Sequence, residues 1–332
     1  DPGDINNRSK RSIALDLKSA EGLAAVSKLI GISDILIEGF RPGVMEKLGL
    51  GPNECEAINP GLIFGRMTGW GQDGPLAQTA GHDINYLAIT GALHAIGKNG
   101  EPPIPPLNLA ADYAGGTMFL LFGILSALFE RQNSGEGQVV DAAMIDGVPA
   151  LMGLIHSMFA KGQWTNERGK NLLDGGAPFY RNYETSDGKW ISVGPLEPQF
   201  FAELVEKAGL KQTDLANQYD HETWDVRHDE YAALFKTRTR AQWSEIFDGS
   251  DACVAPILNF DEVINHPQNA SRGIFQKVNG VLQAAPAPRF SRSRASEIGE
   301  PPAPGEHSDE VLLELGYDPA EIIQMRKTGA IK

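Results

Sequence analysis

Ser12-Ile13-Ala14-Leu15-Asp16-Leu17 and Asp34-Ile35-Leu36-Ile37-Glu38, with Ala20 to Ile32 between them, decide the fold class. Each flanking run is short and apolar and reads as a buried strand, while Leu23, Val26, Leu29 and Ile30 recur at the spacing of one helix face. Beyond the loop Gly39-Phe40-Arg41-Pro42-Gly43, a helical stretch near Pro52 to Ile58 leads into a third strand, Leu62-Ile63-Phe64-Gly65-Arg66-Met67. Strand, helix, strand, helix, strand predicts an α/β fold built on a parallel sheet with crossover helices. Ligands of such sheets bind outside the carboxyl ends of the strands, and Lys18, Arg41 and Arg66 fall at or just after those ends.

Working outward, helical spacing recurs from Asp83 to Ile96 and from Asp112 to Arg131, and Glu101-Pro102-Pro103-Ile104-Pro105-Pro106 between them is extended. Gln138 to Ala142 reads as a strand and Met144 to Lys161 as a helix. Past a break at Gly162 to Gly176, Phe179 to Thr185 and Lys189 to Gly194 flank Ser186-Asp187-Gly188, a hairpin signal because Asp-Gly supplies positive φ cheaply. Helices predicted at Glu197 to Ala208, Trp224 to Lys236 and Arg240 to Phe247 complete a second, smaller α+β unit. Gln283 to Glu306 reads as a linker, followed by helices from Glu310 to Leu315 and from Asp318-Pro319, a capping sequence with Pro at the first helical position.

With 42% hydrophobic and 22% charged residues in 332, the chain can bury one large or two modest cores, and disorder is excluded. A net charge of −14 argues against a nucleic-acid partner. Basic residues nevertheless gather early (Arg8, Lys10, Arg11, Lys18, Arg41, Lys47), which fits either a small polyanion or a solvated basic face. Cys55 and Cys253 have no disulfide or metal spacing, so a reduced compartment and no metal are expected. The apolar run Thr117 to Phe129 is too short to cross a bilayer and stops at Glu130-Arg131. No signal pattern opens the chain, so a cytoplasmic protein without a membrane partner is expected.

The chemistry-bearing stretch is Gly81-His82-Asp83-Ile84-Asn85-Tyr86, followed by Asp112-Tyr113-Ala114-Gly115-Gly116. A histidine and a carboxylate stand at two predicted helix starts, where outward N–H groups stabilise anions such as an enolate oxygen. Taken singly, His82 fits a surface or capping histidine and Asp112 an N-cap. Together, with glycines that permit close approach, they suggest acid/base work beside an oxyanion. Glu197, between a strand end and a helix start, is a third acid, and Gly175-Gly176-Ala177-Pro178 is either a flap or a linker.

These blocks, with Leu15-Asp16-Leu17-Lys18, Ile37-Glu38-Gly39-Phe40-Arg41-Pro42-Gly43, Arg66-Met67-Thr68-Gly69-Trp70-Gly71-Gln72, Asp174-Gly175-Gly176-Ala177-Pro178-Phe179-Tyr180 and Glu197-Pro198-Gln199-Phe200, resemble the branch of the family III CoA-transferase superfamily that racemises 2-methylacyl-CoA thioesters. The resemblance runs almost the whole length of the chain. It implies that His82 and Asp112 are the two bases that exchange the α-proton through an enolate, that Glu197 pairs with the histidine, and that Asp83 and Asn108 surround the thioester and the aspartate. It places Leu15, Lys18, Gly39, Arg41, Lys47, Arg66, Gly81, Asp83, Ile84 and Tyr86 around CoA, which the substrate itself carries, so no separate cofactor is expected.

The resemblance also implies an interlocked homodimer with an active site shared between subunits. Each subunit would have a Rossmann-like large domain (1–161, closed by 291–332), linkers at 162–178 and 255–290, and a small α+β domain at 179–254. The long stretches near 162–178 and 255–306 suit such threading better than a compact monomer. In that branch a strand-helix-strand unit, with an arginine that touches CoA, precedes the point matching Asp4; this sequence has no counterpart, so a truncated chain is expected. Two other readings stand beside the racemase: a CoA-transferase with Asp112 as nucleophile, and a noncatalytic acyl-CoA-binding protein.

Overall fold

The computed structural model describes residues 1–332 apart from 2, 211–214, 294 and 332. In chain order the elements are α1 (Ala20–Ile32), β1 (Ile35–Glu38), α2 (Val44–Lys47), α3 (Pro52–Ile58), β2 (Ile63–Thr68), α4 (Asp83–Ile89), a π-helix (Leu109–Thr117) running into α5 (Met118–Ser134), β3 (Gln138–Ala143), α6 (Met144–Leu151) and α7 (Gly153–Ala160). There follow β4 (Arg181–Glu184), β5 (Trp190–Val193), α8 (Pro198–Ala208), α9 (Trp224–Phe235), α10 (Arg240–Phe247), β6 (Val254–Ile257), α11 (Pro267–Arg272), β7 (Phe275–Val278), β8 (Val281–Ala284), α12 (Ser308–Glu314) and α13 (Pro319–Thr328). The chain forms two compact units: Asp1–Gln78 with Leu120–Ala142 and Phe260–Lys332, and Thr79–Phe119 with Ala143–Asn259.

The first unit is α/β, with a sheet in the order β1-β2-β3 whose β1 and β2 are parallel. Period-two alternation sorts the β2 side chains. Leu62, just before β2, and Phe64 join Ile30, Met45, Leu50 and Cys55 under α1 and α3, while Ile63 packs with Leu120, Ile124 and Ala127 of α5. Gly65 makes that second packing possible, because the Leu120 and Ile124 methyl groups lie 3.1 and 3.2 Å from where its Cβ would stand. α12 and α13 close over α1 through Leu312, Ile322, Met325 and Ala25. The predicted cap of α13 is present: Asp318 accepts from Glu321 N at 2.9 Å and Glu321 from Asp318 N at 2.8 Å.

In the second unit β4-β5-β6 is antiparallel, with Tyr183 opposite Ile191 and Ile191 opposite Pro256. α8, α9 and α10 cover it around an aromatic core of Phe179, Tyr183, Phe201, Trp224, Tyr231, Phe235 and Trp243.

Several expectations are corrected. Ser12 to Leu17 is not a strand: Leu15 makes one antiparallel bridge to Ile331, and the Ser12 carbonyl and Ala14 N–H are taken by His307 N and Ser308 Oγ. With those backbone groups satisfied by the C-terminal segment, no ladder forms there. The helix from Asp83 ends at Ile89, since Gly91 turns to φ +83, and Met144 to Lys161 is two helices with a break at Met152, after Pro149 removes a donor. The stretch from 255 is not structureless, because it carries β6 and the β7–β8 hairpin. The apolar helix is also longer than expected: Leu109–Ser134 is 26 residues with hydropathy 1.4, long and apolar enough by length and composition to cross a membrane, and 28% of that window is buried. The extra length comes at both ends, in the first turn of the π-helix and in the last turn of α5. α5 sets one face on the sheet, whereas its Leu121, Phe122, Leu125 and Phe129 are exposed.

Candidate active site

His82 is the N-cap of α4, in extended conformation with φ −133 and ψ 171, and its side chain is exposed. Asn85 fixes it there by accepting the His82 backbone N–H at 3.0 Å. The first N–H groups of α4, those of Asp83 and Ile84, have no partner within the helix, as at any helix start.

Asp112 sits in the π-helix, whose wider turn leaves still more N–H groups unpaired at its start. Two of those are capped from outside. Asp83 Oδ2 accepts both Ala111 N and Asp112 N, each at 2.9 Å. Asp83 is 5% exposed, and its other oxygen, Oδ1, is buried with no hydrogen-bond partner among the described residues. A carboxylate so placed joins the α4 start to the residue bearing the second acid. Asn108 Nδ2 reaches Asp112 Oδ2 at 3.5 Å, a long contact. Tyr86 is buried beneath; burial, and secondly the charge of Asp112, raise its phenol pKa, so it stays protonated.

Gly115 and Gly147 let the π-helix and α6 touch. A Cβ on Gly147 would run into the Gly115 carbonyl, and one on Gly115 would lie 2.9 Å from the Val148 methyl group. Gly115 therefore permits the close approach that the sequence suggests, with α6 as the approaching element.

Glu197 is the N-cap of α8, yet its carboxylate makes no capping bond. Its charge is felt by the phenol of Tyr219 and the thiol of Cys253, both raised first by burial and next by Glu197. Neither residue carries a sequence signal of a role. No hydrogen bond joins Glu197 to His82 among the described residues, whereas His82, Asp83, Asn108 and Asp112 are brought together. A cavity of about 1350 Å³ in the same unit is lined by Trp164, Tyr180, Arg181, Trp190, His228 and Cys253, and none of His82, Asp112 and Glu197 lines it. Among the described residues no cluster of three or more His, Cys, Asp and Glu could hold a metal.

The remaining expected CoA contacts lie in the first unit. Lys18, Gly39, Arg41 and Lys47 are exposed, and Leu15 is half-buried. Arg66 is different. The parallel register sets it beside Glu38, and its guanidinium is held by Glu38 at 2.9 Å and Glu46 at 2.8 Å, with Arg66 and Glu38 side chains 8% and 3% exposed. Its hydrogen bond holds the Glu46 carboxyl below the usual carboxylate range. Gly81, Ile84 and Tyr86 belong to the His82 turn of the second unit.

Known proteins are similar to this one over most of the chain. The mouse protein named alpha-methylacyl-CoA racemase is 45% identical over 327 residues, which are 98% of this chain and 86% of that protein. The human protein of the same name is 44% identical over the same shares. A crystal structure of a CAIB/BAIF family protein from Brucella suis superposes with TM-score 0.77 at 25% identity, covering 93% of this chain and 82% of that one. Residues 4–308 match CoA-transferase family III, and the chain belongs to that family.

Proposed function

We propose that this chain inverts the α-carbon of 2-methylacyl-CoA thioesters by two-base proton transfer, as the name of its mouse and human relatives suggests. The observation that carries the reading is the Asp83 carboxylate joining the His82 helix start to the Asp112 backbone, so that two unlike proton-transfer groups stand beside unpaired N–H donors. In one direction neutral His82 takes the α-proton. The C–H electron pair moves into the thioester, making an enolate whose oxygen faces the N–H groups at the start of α4, and protonated Asp112 delivers a proton to the opposite face. The other direction exchanges the roles. No step changes an oxidation state, so CoA carried by the substrate suffices.

Lys18, Arg41 and Lys47, with Leu15 and Gly39, are the side proposed for the CoA phosphates and adenosine. Arg66 orders the strand ends through Glu38 and Glu46, since its charge is already balanced. The absence of a His82–Glu197 bond among the described residues and the exposed apolar face of α5 both support a homodimer in which a second copy completes the site. In that assembly the linkers at 162–178 and 255–290 separate the large domain from the small one at 179–254. A cytoplasmic working place is part of the same reading.

The test is α-hydrogen exchange of a 2-methylacyl-CoA in heavy water, with and without a carboxylate acceptor. Exchange without acceptor is expected, and His82→Ala and Asp112→Ala should each lower it by about 10²–10⁴-fold. CoA transfer to the acceptor would make the chain a transferase, with Asp112 as nucleophile. Binding without either reaction would make it an acyl-CoA carrier.

A further inference from the structure

Two residues outside the stretches that the sequence singles out hold the turn that bears Glu197. β5 ends at Val193, and Gly194-Pro195-Leu196 leads to Glu197 at the head of α8. Gln218 is 2% exposed, and its Nε2 donates to the Pro195 carbonyl at 3.1 Å and to the Leu196 carbonyl at 3.0 Å. The hydroxyl of Tyr219 donates to the same Leu196 carbonyl. Three donors thus converge on the two carbonyls that precede the acid.

The clamp is itself mounted firmly. Trp224 Nε1 donates to the Gln218 carbonyl at 3.2 Å, and Arg227 to the Asn217 carbonyl at 3.0 Å. The Tyr219 ring packs edge-on against Phe179 at 5.4 Å, and Phe179 in turn against Phe201 of α8 and Trp224 of α9. The two carbonyls settle which way the Gln218 amide faces, since only its nitrogen can donate, and its oxygen is left buried without a partner. A buried acceptor left empty is destabilising. The clamp tolerates that, and what it fixes is the direction in which Glu197 leaves the turn.

We infer that Gln218 and Tyr219 are positioning residues for Glu197, setting where its carboxylate stands relative to the proton-transfer pair. The inference rests on the reading of Glu197 as the acid that serves His82. Displacing an acid by about 1 Å can cost as much as 10²-fold in rate without touching substrate affinity.

The experiment compares Gln218→Met, Tyr219→Phe, Glu197→Gln and each clamp variant combined with Glu197→Gln, reading kcat and KM of α-hydrogen exchange on the full chain. Gln218→Met should lower kcat about tenfold and Tyr219→Phe about threefold with KM unchanged, and neither should lower it further in the Glu197→Gln background. The ultraviolet titration of the Tyr219 phenol should move down toward its ordinary value in Glu197→Gln, because a neighbouring negative charge is gone. Losses that multiply with that of Glu197→Gln overturn the inference, and so does wild-type kcat in both clamp variants while Glu197→Gln is impaired. If Glu197→Gln alone matches wild type, the reading of Glu197 has failed and the positioning role falls with it. Should Gln218→Met not fold, Tyr219→Phe decides, since that side chain is 46% exposed and the change removes one oxygen.

Discussion

Asp83 spends one oxygen on two backbone donors and keeps the other buried and unused, an arrangement rarely kept outside functional sites. Sequence alone could flag His82, Asp83 and Asp112, because histidine and carboxylates crowding two helix starts are unusual company. It could not reveal what Asp83 does, since its partners lie 28 and 29 residues away. Gln218 was silent for the same reason: glutamine has no pattern, and its meaning comes from two carbonyls that folding brings to it.

His228 gives a prediction at this scale. Burial first, then the Arg181 guanidinium 3.2 Å away, lower its pKa, while Asp225 and the Gly176 backbone act the other way. The folded pKa lies below the unfolded value of about 6.5, so as pH falls the unfolded chain takes up the proton first. Stability present above that value is lost as pH drops toward the folded pKa. Thermal melting should therefore weaken between about pH 7 and pH 5, and His228→Asn should flatten that slope. An unchanged slope in the variant would remove His228 as the cause.

At the scale of elements, legibility followed local chemistry. α1, α3 and α10 stand where periodicity and capping residues set them, and the β4–β5 hairpin turns at Asp187-Gly188. Asn279-Gly280, an equally strong turn signal with φ of +52 and +80, joins β7 and β8 within a stretch that the family resemblance made a linker. β6 escaped notice since Pro256 argues against a strand, yet β6 lies at a sheet edge, where proline is tolerated. The π-helix was read as ordinary helix, for a turn wider by one residue leaves apolar spacing almost unaltered over nine positions. Gly147→Ala should expose its importance: the new methyl group meets the Gly115 carbonyl, so about 1–3 kcal/mol of stability should be lost, with exchange activity falling alongside. Calorimetry showing a neutral substitution would mean that the two helices can part without cost.

For the whole molecule, the parallel pairing of β1 with β2 was readable from the first seventy residues. The stretch with His82 and Asp112 belongs to the same compact unit as the aromatic-cored sheet, although it lies well before that sheet in the sequence. Contacts between distant segments decide such a division, and periodicity does not register them. If a second copy completes the site, sedimentation should give about twice the 35.9 kDa of the chain, and Phe122→Ser with Phe129→Ser should shift it toward the monomer. A wild-type chain that sediments at the monomer mass removes the shared site.

The same helix has a further consequence, in how the protein comes into being. α5 is apolar on the face that meets the sheet and apolar again on the face that meets solvent, where Phe122 and Phe129 are 73% and 70% exposed. A freshly made chain can bury the first face by itself, but the second stays sticky until something covers it. If a second copy is what covers it, yield in the cell is governed by a race between assembly and aggregation, and chaperone capacity weighs on that race alongside the stability of the finished fold.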